Sequence, residues 1–126
     1  MAKILFMETT QIEASQTVAE IQRLLGEHGV SHVLTEYERG EVVSVSFKVN
    51  NIPFCLPCRW ETILKVLQSR RKRVPDKQKI EQQAHRVAWR QILRWIEAQL
   101  ALVETEMVQL QEVFLPYLQK KGASET

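Results

Sequence analysis

Between Asp76 and Pro116 the chain contains neither glycine nor proline. Within that stretch Trp89, Ile92, Ile96, Leu100, Val103, Met107, Leu110, Phe114 and, just beyond it, Tyr117 follow one another at steps of three or four residues. Such spacing places them along one side of an α-helix, as a seam of about four heptads. With Asp76 as the N-cap, the pattern predicts one helix running to about residue 119. At ~1.5 Å per residue it would be about 60 Å long. A chain of 126 residues folded on itself has a radius of gyration of only about 14 Å. Either the helix breaks into a hairpin, or its distal part packs on another copy or another protein. Without a turn residue to break it, the expectation is a continuous helix and a homo-oligomer. The interface would be Ile96, Leu100, Val103, Met107, Leu110 and Phe114. A bent core helix lying across a sheet is the alternative.

The preceding sequence has a different period. Residues 3–7 suggest a short strand, and Thr10 followed by Glu13 has capping-box spacing for a helix over roughly 10–26. Gly29 stands where a left-handed C-terminal cap is wanted. Residues 30–38 read as a strand anchored by Val33 and Leu34, and Arg39-Gly40 as a turn. Val43, Val45, Phe47 and Val49 then alternate with Ser44, Ser46 and Lys48, the signature of a half-buried strand. Asn50-Asn51 forms a second tight turn. Ile52, Phe54 and Leu56 alternate again, with Pro53 and Pro57 assigning this segment to a sheet edge. Residues 59–70 form an apolar-faced helix that Val74-Pro75 separates from the next. The expected architecture is a single α+β domain over 1–126: a small antiparallel sheet of about four strands packed on helices, with a long C-terminal helix. Residues 1–57 form its strand-rich half, 58–119 its helical half and 120–126 a flexible tail.

An apolar fraction of 44% and a charged fraction of 25% are ordinary for a folded chain, and two cysteines do not make a disulfide scaffold. The first residues do not form a signal peptide, and no window approaches the ~18 apolar residues of a membrane span. The chain is expected to be cytoplasmic, with no membrane partner and with reduced thiols.

Catalytic signatures are few. No nucleophile elbow, phosphate loop or H-E-x-x-H occurs, and neither an enzyme activity nor a cofactor is expected. Cys55-Leu56-Pro57-Cys58 is a C-x-x-C between a strand and a helix, the setting of thioredoxin-like redox pairs. The antiparallel meander before it and the lack of a strand after it argue for a buried apolar edge instead. The same cysteines could join His28 and His32 as a four-ligand zinc site. His28 reads better as a residue of a helix C-terminus, and His32 and His85 as surface residues. Glu36, Glu38 and Glu41 cluster at the Gly40 turn, where carboxylates are usually solvated.

The charge distribution is more telling than its total. Residues 70–94 carry nine basic and two acidic groups, a net of +7, between flanks of −2 and −3. Arg70, Arg71, Lys72, Arg73, Lys77 and Lys79 surround the Pro75 turn. Arg86, Arg90 and Arg94 follow at four-residue steps on one helix face, ~6 Å apart, and can track a phosphate backbone. The alternative is a solvated stripe, or Glu97 and Glu104 neutralising arginines of a neighbouring chain.

The stretch Ala88-Trp89-Arg90-Gln91-Ile92-Leu93-Arg94-Trp95-Ile96-Glu97-Ala98-Gln99, with Val113-Phe114-Leu115-Pro116-Tyr117 and Pro53-Phe54-Cys55-Leu56-Pro57, resembles small uncharacterised proteins of bacterial phages and integrated mobile elements. The resemblance covers most of the chain and implies a genomic context rather than a chemistry. It leads to the expectation of a non-enzymatic accessory protein. Its nucleic-acid-binding residues would be Arg70, Arg71, Lys72, Arg73, Lys77, Arg86, Arg90 and Arg94, contacting phosphates without strong sequence choice. The competing expectation is a homo-oligomeric module for a protein partner, with the arginines structural.

Overall fold

The computed structural model describes residues 5–70 and 76–119. In chain order they form α1 (Ala14–Glu27), β1 (Ser31–Glu38), β2 (Glu41–Val49), β3 (Ile52–Pro57), α2 (Trp60–Ser69), α3 (Lys77–Glu104), α4 (Leu110–Val113) and a 3-10 turn at Leu115–Tyr117. The α+β class holds. The sheet is an antiparallel meander of three strands, β1-β2-β3, rather than about four. Of the expected first strand, residues 3 and 4 lie outside the described residues, and Leu5 opens a turn. The Glu8 side chain causes it by accepting from the Leu5 N–H at 2.7 Å while the Glu8 N–H donates to the Leu5 carbonyl. Beyond β3, the chain returns to that edge: Phe54 bridges Leu118, and the Gln119 N–H donates to the Pro53 carbonyl. The tail 120–126 lies outside the described residues.

Local chemistry accounts for the boundaries. Both hairpin turns place two consecutive residues at positive φ, Arg39 at 52° with Gly40 at 82°, and Asn50 at 51° with Asn51 at 66°. This backbone matches the right-handed twist of the flanking strands. Helix α1 starts at Ala14 without a side-chain cap, because Thr10 turns its hydroxyl to the Ile12 N–H. It ends in a Schellman motif: Gly29 takes φ 83°, its N–H donates to Gly26, and the Val30 N–H donates to Leu25. Asp76 caps α3 by accepting from the Gln78 N–H at 2.9 Å.

The inner face of the sheet carries Val45, Phe47, Val49, Phe54 and Leu56 and packs on α3 through Ala88, Trp89, Leu93, Ile96 and Leu100. A bulge opposite Glu36 and Tyr37 shifts the phase of β2, so Val42 is buried where alternation had placed Val43. The fully buried Trp89 donates its indole N–H to the Val42 carbonyl at 3.1 Å. Helices α1 and α2 flank α3.

The continuous 60 Å helix does not form. Helix α3 stops at Glu104 in a second Schellman motif, with Glu106 at φ 63°, its N–H donating to Val103, and the Met107 N–H donating to Leu102. A capping box between Gln109 and Glu112 starts α4. The reversal carries Phe114 back into the core, where its ring meets Phe47 edge-on at 4.9 Å and Trp95 at 5.9 Å. A straight helix would have left Phe114 beyond the sheet. Burying an aromatic side chain is worth about 1.5–3 kcal/mol, more than the roughly 1–2 kcal/mol that a left-handed glutamate costs.

Candidate functional site

The basic face of α3 looks inward, toward α1 and the segment before it. Arg86 donates to Gln83 Oε1 and to Glu13 Oε1, both at 3.1 Å. Arg90 is only 4% exposed and donates to Thr17 Oγ1 at 3.3 Å and Glu20 Oε2 at 3.1 Å. Arg94 pairs with Glu97 at 2.6 Å, one turn along the same helix. Arg70 pairs with Glu8. Between these arginines, Gln83 donates to the carbonyls of Glu8 and Thr10, and Gln91 donates to the Phe6 carbonyl. Gln83, Arg86, Arg90 and Gln91 together clamp residues 6–20, and Arg94 takes no part in the clamp. Arg90 in particular is buried and unavailable to a phosphate backbone. Arg71, Lys72 and Arg73 lie outside the described residues, and Lys77 and Lys79 are exposed at the start of α3.

The heptad seam is also used within one copy. Ile96, Leu100 and Phe114 are buried in the core, and Val103 and Leu110 pack half-buried against it. Only Met107, 70% exposed on the reversal after α3, remains open to another chain. The length argument for an oligomer falls with the helix that carried it.

The cysteines and histidines separate. Cys55 is half-buried opposite Ser46 on the outer side of the sheet, whereas Cys58 is buried. Burial, with the negative charges of Glu61 and Glu41, pushes the Cys58 thiol up to about 12, away from the thiolate that redox exchange needs. His28 donates from Nδ1 to the Leu24 carbonyl and faces Glu104 at 2.9 Å through Nε2. His32 is exposed beside Ser31. Among the described residues no three carboxylate, thiol or imidazole groups converge on a metal position, so Cys55, Cys58, His28 and His32 do not form one site.

His85 is 5% exposed, not a surface residue. It lies where α2 and α3 meet, and its ring stacks on Trp60 at 4.4 Å. The carbonyl of Glu81 accepts from Nδ1 at 2.9 Å. Beside it opens a pocket of about 470 Å³ whose wall includes Glu38 and Glu41 of the first hairpin, Trp60 of α2, and Glu81, Gln82 and His85 of α3. A second cleft, of about 230 Å³ and more apolar, lies between β3, α2 and α3 and is lined by Leu56, Ile63, Ile92, Trp95 and Tyr117. The first pocket unites residues of four elements, β1, β2, α2 and α3. Glu38 and Glu41 were visible in sequence as a cluster on a turn. The α-helical hairpin that carries Trp60 and His85 to them was not.

No known protein family matches this chain, and neither a curated protein nor a solved structure is significantly similar to it.

Proposed function

We propose that this chain is a non-enzymatic interaction module for a protein partner, and that its arginines are structural. The observation that carries this reading is β1. Among the described residues it is an edge strand of eight residues, hydrogen-bonded on one side only, with Leu34 62% and Tyr37 63% exposed. Large apolar side chains beside unpaired backbone groups are what a partner chain recognises. Two register shifts along the β1–β2 pairing, one with its extra residue on β1 and one on β2, twist this edge, which disfavours simple sheet extension and favours contact through these side chains. The arginine pairs support the second half of the reading. Arg70, Arg86, Arg90 and Arg94 each have a carboxylate of the chain itself.

A random peptide library displayed against wild type and against a Leu34→Glu/Tyr37→Glu double variant tests the partner. Peptides enriched on wild type and lost on the folded variant are expected; equal enrichment on both overturns the proposal. Nucleic-acid binding is the second reading, favoured by exposed Lys77 and Lys79 at the start of α3. An electrophoretic shift with single- and double-stranded DNA and RNA, at low and rising salt, separates the two. A shift at low salt that Lys77→Glu/Lys79→Glu abolishes would establish the phosphate-binding reading instead.

A further inference from the structure

The apolar cleft at β3 lies at the other edge of the sheet from β1, so it is separate from the proposed protein contact. Leu56 and Ala88 are its buried members, and Ile63 and Ile92 line it from α2 and α3. With only a methyl group at Ala88, α3 does not close the space between β3 and α2. The polar members of the wall are unusual for this molecule. Arg59, exposed immediately before α2, is the single charged residue of the lining. Unlike Arg70, Arg86, Arg90 and Arg94, it pairs with no carboxylate. No acidic residue is on the wall to neutralise it. Among the described residues, the Trp95 indole N–H and the Tyr117 hydroxyl on the same wall also have no hydrogen-bond partner.

We propose that this cleft binds a small aromatic monocarboxylate, its ring among Ile63, Ile92 and Trp95 and its carboxylate at Arg59. Charge complementarity carries the choice of occupant. An apolar space whose single charge is an unpaired cation suits a ligand that is apolar with one anionic group. A neutral molecule leaves that cation unused, and a cationic one meets a like charge. Guanidinium and carboxylate also match in shape, as planar groups joined by two parallel N–H···O bonds. The indole N–H of Trp95 adds a donor and no acceptor. The volume, about 230 Å³, is below the ~300–1,000 Å³ of drug-sized sites and fits a body of one or two fused rings. Trp95 and Tyr117, whose rings meet edge-on at 5.7 Å, favour an aromatic body over an acyl chain.

Titration of the ¹⁵N-labelled protein with 2-naphthoate tests the site. Saturable shifts are expected at the Trp95 indole N–H and the Gln91 side-chain amide, both on the cleft wall. 2-Naphthamide keeps the ring without the charge, and octanoate keeps the charge without the ring. Each should bind roughly fivefold more weakly than naphthoate. Arg59→Gln, at an exposed position, should weaken naphthoate by a similar factor, roughly fivefold, and leave the fold unchanged. No saturable shift at millimolar concentration, equal affinity for the amide or for octanoate, or affinity unchanged in Arg59→Gln overturns the proposal.

Discussion

The arginine face of α3 and the acidic pocket at its beginning lie on one helix and use charge in opposite ways. Along 83–94 each guanidinium is turned toward a carboxylate of the same chain; Arg86 and Arg90 are covered by α1 and the segment before it, whereas Arg94 pairs with Glu97 on the exposed side of α3. Around Glu81 and His85 the carboxylates are left over and the helix opens on a pocket. Charge density alone would have selected the first region as the binding surface. Counting partners removes Arg86 and Arg90 from it. A charged cluster is informative about function only after its internal partners have been subtracted.

The sharpest way to break this contrast is at Arg90. Arg90→Ala removes a buried cation and leaves Glu20 and Thr17 facing a void, and its buried Nε already lacks a partner. Glu20 is partly exposed, which moderates the loss; destabilisation of about 2–4 kcal/mol is expected from urea unfolding. A loss below about 0.5 kcal/mol would return the arginine face to the list of surfaces kept for a ligand. Next in size is the end of α3. Glu106→Gly relieves a left-handed non-glycine residue and should raise stability by about 0.5–1 kcal/mol, read as a higher Tm. A continuous helix would respond with the opposite sign, since glycine weakens a helix interior.

A smaller effect concerns the His28–Glu104 pair, which ties the end of α1 to the end of α3. The Leu24 carbonyl raises the His28 pKa above its ordinary value, opposed by burial and assisted by Glu104. A raised folded-state pKa stabilises the fold fully below the unfolded value of about 6.5 and loses that contribution as pH rises through the folded value. Glu104 is well exposed, so the contribution is screened to under about 1 kcal/mol. Wild type should lose more Tm than Glu104→Gln between pH 6 and 8; equal losses would remove the carboxylate from the effect. Least of all should happen at the pocket: Glu41→Gln/Glu81→Gln is expected to change stability by no more than about 0.5 kcal/mol, and in the favourable direction. A large loss by chemical denaturation would mean that these carboxylates are structural after all.

Much of the fold is legible where the signal is local. The paired turn residues Arg39-Gly40 and Asn50-Asn51, the glycine ending α1 and the aspartate starting α3 all specify backbone geometry within a few positions. The end of α3 was not legible, because its left-handed position is held by a glutamate and the compensation comes from Phe114 meeting Phe47. The fate of the arginines was illegible for the same reason. Arg86 and Glu13 are separated by 73 positions, and nothing in either neighbourhood announces the other. The imidazole of His85 and the indole of Trp60 likewise meet only once α2 and α3 have packed.

The return of Phe114 to the sheet has a consequence for how the chain is made. The inner face of β2 and β3 is laid down before its aromatic lid, which follows Phe54 by about 60 residues, and the partners of Glu13 and Glu20, Arg86 and Arg90, emerge with the first half of α3. A nascent chain therefore carries the Phe47–Phe54 surface without its Phe114 lid while the whole of α2 and α3 is synthesised. Early-formed hairpins must wait for distant closure, and contacts of such long sequence separation slow folding.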